Sequence, residues 1–293
     1  MLAKMRPFEY VRPKSLSEAF SIVNQYENGA AVFKAGGTDL FVQMKEQVRT
    51  PRCVIDLQDL QELKGITVGK GTVQIGALTR MNEIVKDARL SELGLGVLQE
   101  AADKLGSYQI RNRATLGGNV CSASPAADMS TPLLVMEAKV VIEGKSGRRT
   151  VPWEDFFLGP GESVLETGEL LRYLEVPLPE KGVRAKYIKH GNRRAMTLAV
   201  VGIAAKMLLD GPGICREIKT ALGAVAPTPF RAYRAEKILT GKEVTEASAR
   251  QAAEAAAEEA SPITDIRGTT EYRKQIIKVK ARRLFLELAD SRG

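Results

Sequence analysis

The apolar residues of this chain alternate between helical and strand spacing, and the switches are marked by caps and glycines. Ser15-Leu-Ser-Glu18 has the form of a capping box, and Ala19, Phe20, Ile22 and Val23 behind it recur at helical spacing until Asn28-Gly29 closes the segment. Residues 30–35 then form a short apolar run, read as a buried strand, that enters Gly36-Gly37-Thr38-Asp39 directly. Leu40, Phe41 and Met44 resume a helical period, so the order is strand, glycine turn, helix start. Further strands are predicted at Val54–Leu57, Ile66–Val68 and Val73–Ala77, a second capped helix after Thr79, and a longer helix over Leu93–Leu105. Gln109 to Asn119 is too polar and glycine-rich for a core element and too poor in Ser and Pro for a linker, which predicts a structured loop. Ser124-Pro-Ala-Ala-Asp128 opens an apolar helix through Leu133, Leu134 and Met136, and Lys139–Glu143 pairs with Arg148–Val151 in a hairpin turning at Gly147.

Proline, glycine and charge cluster at Pro177-Leu-Pro-Glu-Lys-Gly182, which predicts a boundary. Beyond it, alternating runs at Thr197–Leu209 and Ile214–Ala221 predict an antiparallel sheet. Helices at Arg231–Leu239, Thr245–Ala260 and Thr269–Asp290 would cover it, the last with an apolar stripe of Tyr272, Ile276, Val279 and Leu286. The pattern predicts an α+β protein in two parts: interleaved strands and helices over residues 1–178, followed by a smaller sheet-plus-helices domain over 183–290.

Composition narrows the chemistry. With 293 residues and 44% hydrophobic content the chain can bury a large core without metals or disulfides. No apolar run reaches the length of a membrane span, and the first residues lack the apolar stretch of a secretion signal, so the expected location is the cytoplasm. The single histidine, His190, excludes a multi-histidine metal site and argues against a Ser-His-Asp hydrolase. Cys53, Cys121 and Cys215 lie far apart, too few for an ordinary iron–sulfur cluster, and are read as small buried hydrophobes. The net charge of +8 invites a nucleic-acid reading. Half of that charge falls on residues 265–293, mostly as the solvated face of the last predicted helix, and no aromatic–basic reader motif accompanies it, so no nucleic-acid partner is expected.

Two glycine turns carry the candidate chemistry, Lys34-Ala-Gly-Gly-Thr-Asp-Leu40 and Thr115-Leu-Gly-Gly-Asn119. Paired glycines let main-chain amides converge on an anion, and a helix start behind them adds partial positive charge. A dinucleotide diphosphate suits two such turns, with Thr38, Thr115 and Asn119 supplying side-chain donors. Neither a G-x-G-x-x-G fingerprint nor a P-loop is present, since position 139, where a P-loop needs glycine, is lysine.

These turns, with Gln109-Ile-Arg-Asn-Arg113 before the second and Ala123-Ser-Pro-Ala-Ala-Asp128 after it, resemble the FAD-binding (medium) subunit of the molybdenum hydroxylases, the family of xanthine and carbon monoxide dehydrogenases. The resemblance extends over almost the whole chain, through Phe8-Glu-Tyr-Val-Arg-Pro13, Val54-Ile-Asp-Leu57, Phe156-Phe-Leu-Gly-Pro160, Leu222-Gly-Ala-Val-Ala-Pro227 and Pro262-Ile-Thr-Asp-Ile-Arg-Gly268. It implies a two-subdomain FAD-binding domain of the PCMH type over 1–178, with subdomains of about 1–57 and 58–178, then the family's C-terminal domain over 183–290. It further implies partner subunits that hold a molybdenum cofactor and two 2Fe-2S clusters, and an external electron acceptor, NAD or another. By position it assigns FAD contacts to Lys34, Ala35, Gly36, Gly37, Thr38, Asp39, Leu40, Leu105, Thr115, Gly117, Gly118, Asn119, Asp128, Leu171 and Lys189, and no catalytic or metal-binding residue. Leu105 stands where some relatives place an aromatic against the flavin. Asp128 is equally suited to cap the following helix. Lys189 is read either as a cation beside the isoalloxazine ring or as a plain exposed lysine, and His190 as structural. Leu57–Gly76 lacks the cysteine-bearing insertion of family branches with an additional cluster. A self-sufficient flavin oxidoreductase of the same fold is the alternative; it would need an acid or base beside flavin N5, and the C-terminal part offers no evident one.

Overall fold

A computed structural model describes residues 5–27, 29–193, 195–210 and 213–290. The chain opens with β1 (Glu9–Val11), α1 (Leu16–Val23), β2 (Ala31–Lys34), α2 (Leu40–Lys45) and β3 (Cys53–Asp56). The three strands are parallel in the order β1-β3-β2. The central strand of a parallel sheet is covered on both faces, and all four residues of β3 are buried. α1 packs Leu16, Ala19, Phe20 and Val23 on this sheet. Its cap differs from the predicted box: Ser15 Oγ accepts from the Glu18 amide at 3.2 Å, but the Glu18 carboxylate accepts from the Lys14 amide rather than from that of Ser15. The helix also stops earlier than predicted, at Asn24, whose side-chain amide donates to the Phe20 carbonyl. Asn28 of the predicted stop lies outside the described residues.

The next unit holds β4 (Ile66–Val68), β5 (Thr72–Gly76), α3 (Met81–Lys86), α4 (Ala88–Glu92), α5 (Gly96–Lys104), α6 (Tyr108–Arg111), α7 (Leu116–Cys121), α8 (Ser130–Val135), β6 (Lys139–Gly144), β7 (Gly147–Pro152), the small pair β8 (Phe157–Gly159) and β9 (Glu162–Ser163), and β10 (Leu170–Pro177). Its main sheet is antiparallel with the order β4-β5-β10-β6-β7. β10, the middle strand, was not predicted: Arg172, Tyr173 and Glu175 interrupt its apolar signal, yet Leu170, Leu171, Leu174 and Val176 are buried. The predicted helix at 93–105 is broken by Gly94, with φ of +76°, and begins only at Gly96.

The predicted loop at 109–119 instead contains two short helices. Ser107 Oγ caps α6 by accepting from the Ile110 amide, and Thr115 Oγ1 caps α7 by accepting from the Gly118 amide. The two glycines that argued against helix occupy the first turn of α7.

The last unit comprises β11 (Arg184–His190), β12 (Val201–Leu209), β13 (Ile214–Gly223), β14 (Phe230–Arg231), α9 (Tyr233–Leu239), β15 (Lys242–Glu243), α10 (Glu246–Glu259) and α11 (Thr270–Ala289). The sheet is antiparallel in the order β11-β12-β13-β14, with β15 also on β13. The buried alanines of α10 let it lie close against its neighbours. On α11 the buried stripe is Arg273, Ile277, Ala281, Leu284, Phe285 and Leu288, rotated by about one residue from the predicted one, and Tyr272 is exposed. Sequence periodicity passes over Arg273 because it is charged, yet its guanidinium donates to the carbonyls of Val200 (2.9 Å) and Ala224 (2.8 Å) and to Asp265 (2.6 Å).

Partial burial pushes the Asp265 carboxyl up, but the Arg267 amide and the Arg273 and Arg267 guanidiniums outweigh it and hold the group at about 2, below its ordinary 3.8. A carboxyl lowered on folding stabilises the fold above its unfolded value, and that contribution is lost as pH falls through the folded value. Asp265→Asn is therefore expected to lower stability at neutral pH and to flatten the fall in unfolding free energy between about pH 4 and 2. Urea denaturation across that range measures it.

Candidate functional site

β2 and β3 end side by side, and the first glycine turn leaves from that edge. Lys34, the last residue of β2, is buried with its ammonium 2.9 Å from Asp56 at the end of β3. Asp56 also accepts from the Tyr10 hydroxyl and from the Gln58 amide at 3.1 Å. Burial pushes the Asp56 carboxyl up, and these three donors bring it below the usual carboxylate range. The turn itself is open. Lys34 O accepts from the Leu57 amide and Ala35 O from Gln58 Nε2, but the amides of Gly36, Gly37, Thr38 and Asp39 donate to no group among the described residues. Asp39 heads α2 without a side-chain cap. Gly37 has φ of +77°, and a Cβ there would stand 2.9 Å from the Phe41 ring.

The second turn works differently. The expected amide nest at Thr115–Asn119 does not exist, because its amides are already used. Leu116 N donates to Thr79 O, Gly117 N to Ala77 O, Gly118 N to Thr115 Oγ1 and Asn119 N to Thr115 O. What the glycines provide here is close approach. A Cβ on Gly117 would lie 2.8 Å from both the Ala77 Cβ and carbonyl oxygen, and one on Gly118 3.0 Å from Thr115 Oγ1 and 3.8 Å from the Ala35 Cβ. From the opposite side, a Cβ on Gly36 would overlap the Arg113 carbonyl. The two segments therefore touch: Gly36 faces the Arg113 main chain, and Gly118 faces the Ala35 side chain. Asn119 Oδ1 is buried with no hydrogen-bond partner, an acceptor that a ligand hydroxyl or ring N–H would satisfy.

A cavity of about 820 Å³ reaches the second turn at Gly117 and is lined among others by Val32, Phe33, Ala77, Cys121 and Leu171, but by no residue of the first turn. That size is in the range of small-molecule and cofactor sites, roughly 300–1,000 Å³. Gly117 and Leu171 are thus brought to one wall, while the first turn abuts the helix start that lines it. Cys53 and Cys215 are buried as expected, whereas Cys121 is only partly so and faces this space.

Asp128, Lys189 and the segment at Leu105 form a second cluster. Of the two readings of Lys189, the plain exposed lysine does not hold: its side chain is buried, and its ammonium lies 2.8 Å from Asp128 Oδ2 and donates to Lys104 O at 3.0 Å. Asp128 does not cap the following helix, whose N-cap is Met129; its other oxygen accepts from the Tyr187 hydroxyl at 2.8 Å. Burial pushes the Asp128 carboxyl up against the opposing pull of Lys189, and burial likewise holds the Tyr187 hydroxyl protonated. Leu105 ends α5 and packs in the same core as Leu171, Leu116 and Tyr187. His190, 2.9 Å from the Tyr272 hydroxyl, belongs to neither cluster. Among the described residues no group of His, Cys, Asp and Glu could hold a metal ion.

Comparison with known proteins shows the family. Residues 6–179 match the family model of the FAD binding domain in molybdopterin dehydrogenase, and residues 186–288 that of the CO dehydrogenase flavoprotein C-terminal domain. The chain belongs to the FAD-binding family of the molybdopterin dehydrogenases. Among its relatives, the glyceraldehyde dehydrogenase medium chain of Sulfolobus acidocaldarius is 33% identical over 96% of this chain and 98% of that one. The xanthine dehydrogenase FAD-binding subunit of Escherichia coli O157:H7 is 32% identical over 97% of each. Among solved structures, a carbon monoxide dehydrogenase from Hydrogenophaga pseudoflava superposes with a TM-score of 0.91 at 35% identity, covering 96% of both chains. The protein is an FAD-binding, oxidoreductase-type subunit of a molybdenum hydroxylase-type dehydrogenase.

The site fits FAD on its own features: four undonated amides at the first turn, an unpartnered buried acceptor at Asn119 and an adjoining cavity of suitable size. Sequence reasoning missed Tyr10, Asp56, Gln58 and Tyr187, which hold the site from behind. Only an acidic residue ending an otherwise apolar strand, Asp56 in Val54-Ile-Asp-Leu57, gave a signal.

Gly117→Ala is expected to cost about 1–3 kcal/mol through the clash with Ala77 and to displace α7 from the first turn. Flavin content after purification, measured by visible absorbance, should fall, and a wild-type content would remove Gly117 from the contact.

Proposed function

We propose that this chain is the FAD-carrying electron-transfer subunit of a molybdenum hydroxylase. It receives electrons from 2Fe-2S clusters of a small partner subunit, fed by a molybdenum cofactor on a large one, and passes them to an external acceptor, NAD or another, in the cytoplasm. The observation that carries the reading is the contact of two glycine turns, one with free amides, at the edge of a cofactor-sized cavity. The named relatives support the assembly: "medium chain" and "FAD-binding subunit" describe members of multi-subunit dehydrogenases. Among the described residues no helix is long and apolar enough to cross a membrane.

FAD, when bound, supplies the redox chemistry and exchanges electrons singly or in pairs. The chain's residues bind and orient it. The amides of Gly36 to Asp39 would hold the diphosphate, with Thr38 and Asp39 beside it and Leu40 leading from the turn into α2. Thr115, Gly117 and Gly118 set the opposite wall, and Asn119 turns its unpartnered oxygen to a ligand donor. Leu105 and Leu171 supply apolar surface for the ring. Lys189 brings a positive charge whose field is largely cancelled by Asp128, which in turn is tied to Tyr187 on the same strand as Lys189. The pair therefore offers the ring an oriented dipole rather than a free cation.

Two measurements test the reading. The isolated chain should bind FAD and accept reducing equivalents from a reductant, yet oxidise no organic donor until partner subunits are added; turnover without them favours the self-sufficient oxidoreductase. Asp128→Asn uncovers the Lys189 charge and is expected to raise the flavin midpoint potential by about 30 mV, a tenfold change in equilibrium for a two-electron couple. An unchanged potential in spectroelectrochemical titration places Lys189 away from the ring.

A further inference from the structure

Asp56 is a buried carboxylate beneath the first glycine turn, and through Gln58 it is linked to the segment that leads to the second. It receives the Lys34 ammonium at 2.9 Å, the Gln58 amide at 3.1 Å and the Tyr10 hydroxyl, and Arg12 lies 3.7 Å away. Lys34 is the first residue of the first turn, and with its side chain buried beneath, its aliphatic stem lies where a Gly37 Cβ would come within 3.1 Å. Gln58, two residues beyond Asp56, donates through Nε2 to Ala35 O at 3.0 Å in the first turn. Its Oε1 accepts from Arg113 Nη2 at 3.2 Å, in the segment leading to the second. The Arg113 carbonyl is the group against which Gly36 packs. Asp56 thus fixes Gln58, and Gln58 bridges the two segments that must stay in register for their glycines to meet.

We infer that Asp56 and Gln58 are positioning residues for the FAD diphosphate, and that Lys34 serves the cofactor from beneath the turn, as the counter-charge of Asp56, rather than by touching phosphate. The inference rests on the FAD reading above. Its physical basis is that an amide turn binds an anion well only if its donors are held before the ligand arrives. A glycine turn, with no side chains of its own to pack, must borrow that rigidity from its neighbours.

Gln58→Ala tests this without touching a buried charge. It removes the bonds to Ala35 and Arg113, both at part-exposed positions, and is expected to leave the fold intact while raising the Kd for FAD roughly tenfold, as loss of one to two modest hydrogen bonds predicts. Asp56→Asn leaves the Lys34 ammonium buried without its counter-charge, and its effect on FAD should be larger; Gln58→Ala carries the test if that variant fails to fold. The readout that separates positioning from general loosening is competition by ADP against adenosine. Misaligned phosphate turns lower the preference for ADP over adenosine, whereas a purely structural defect lowers the melting temperature and leaves that preference unchanged. A wild-type Kd for FAD in Gln58→Ala, or an unchanged ADP-to-adenosine preference alongside weaker FAD binding, overturns the inference. Absence of FAD binding by the wild-type chain, measured first, instead overturns the reading it rests on.

Discussion

The proposed FAD site depends on stretches of main chain approaching more closely than side chains allow. Gly36 faces the Arg113 carbonyl and Gly117 faces Ala77, and at both contacts a single methyl group has no room. Main chain buried at such a contact needs partners for its polar groups. The second turn meets that condition internally, with Thr79, Ala77 and Thr115 accepting its amides. The first leaves four donors open, so the pair is complementary: one wall is finished, and the other asks for an anion.

That asymmetry corrects the symmetrical picture drawn from the sequence. Glycine pairs look alike as letters, but whether their amides are free depends on what lies behind them, and Ala77 and Thr79 belong to a segment far from residue 115 in the chain. A T-x-x-G start is also a helix cap in its own right. Glycines at the first turn of α7 therefore read as loop when local preference is weighed alone, since the tertiary reason for them is invisible.

The legible parts of the fold were those with strong local signals. The edge of β2, the glycine turn and α2 follow from an apolar run broken by Gly36-Gly37, and α10 from its alanines bounded by Thr245 and Pro262. β10 was lost because a middle strand whose outward face carries arginine and glutamate, beside a proline-rich boundary, has no clean period. On α11 the stripe was misplaced because a buried arginine is scored as solvated. Arg273 satisfies its charge with Asp265 and two carbonyls, contacts that no local pattern encodes. The same holds at the site. The residues that would touch a ligand were legible through motif, while Asp56, Gln58 and Tyr187 were not, since each matters only through a partner distant in sequence.

The two charged pairs that flank the site, Lys34 with Asp56 and Lys189 with Asp128, show why burial need not add net charge to a flavin's surroundings. Each lysine lies almost wholly out of water, where an uncompensated ammonium would be costly, and each is matched by a carboxylate within 3 Å. The carboxylates differ in their other donors. Asp56 has two further donors of its own, which keep it ionised. Asp128 has only Tyr187, and burial raises it. A carboxylate held firmly ionised suits a fixed anchor beneath a turn. One whose charge is less firmly held responds more readily to charge placed beside its lysine, which is the property the proposed role of the second pair requires.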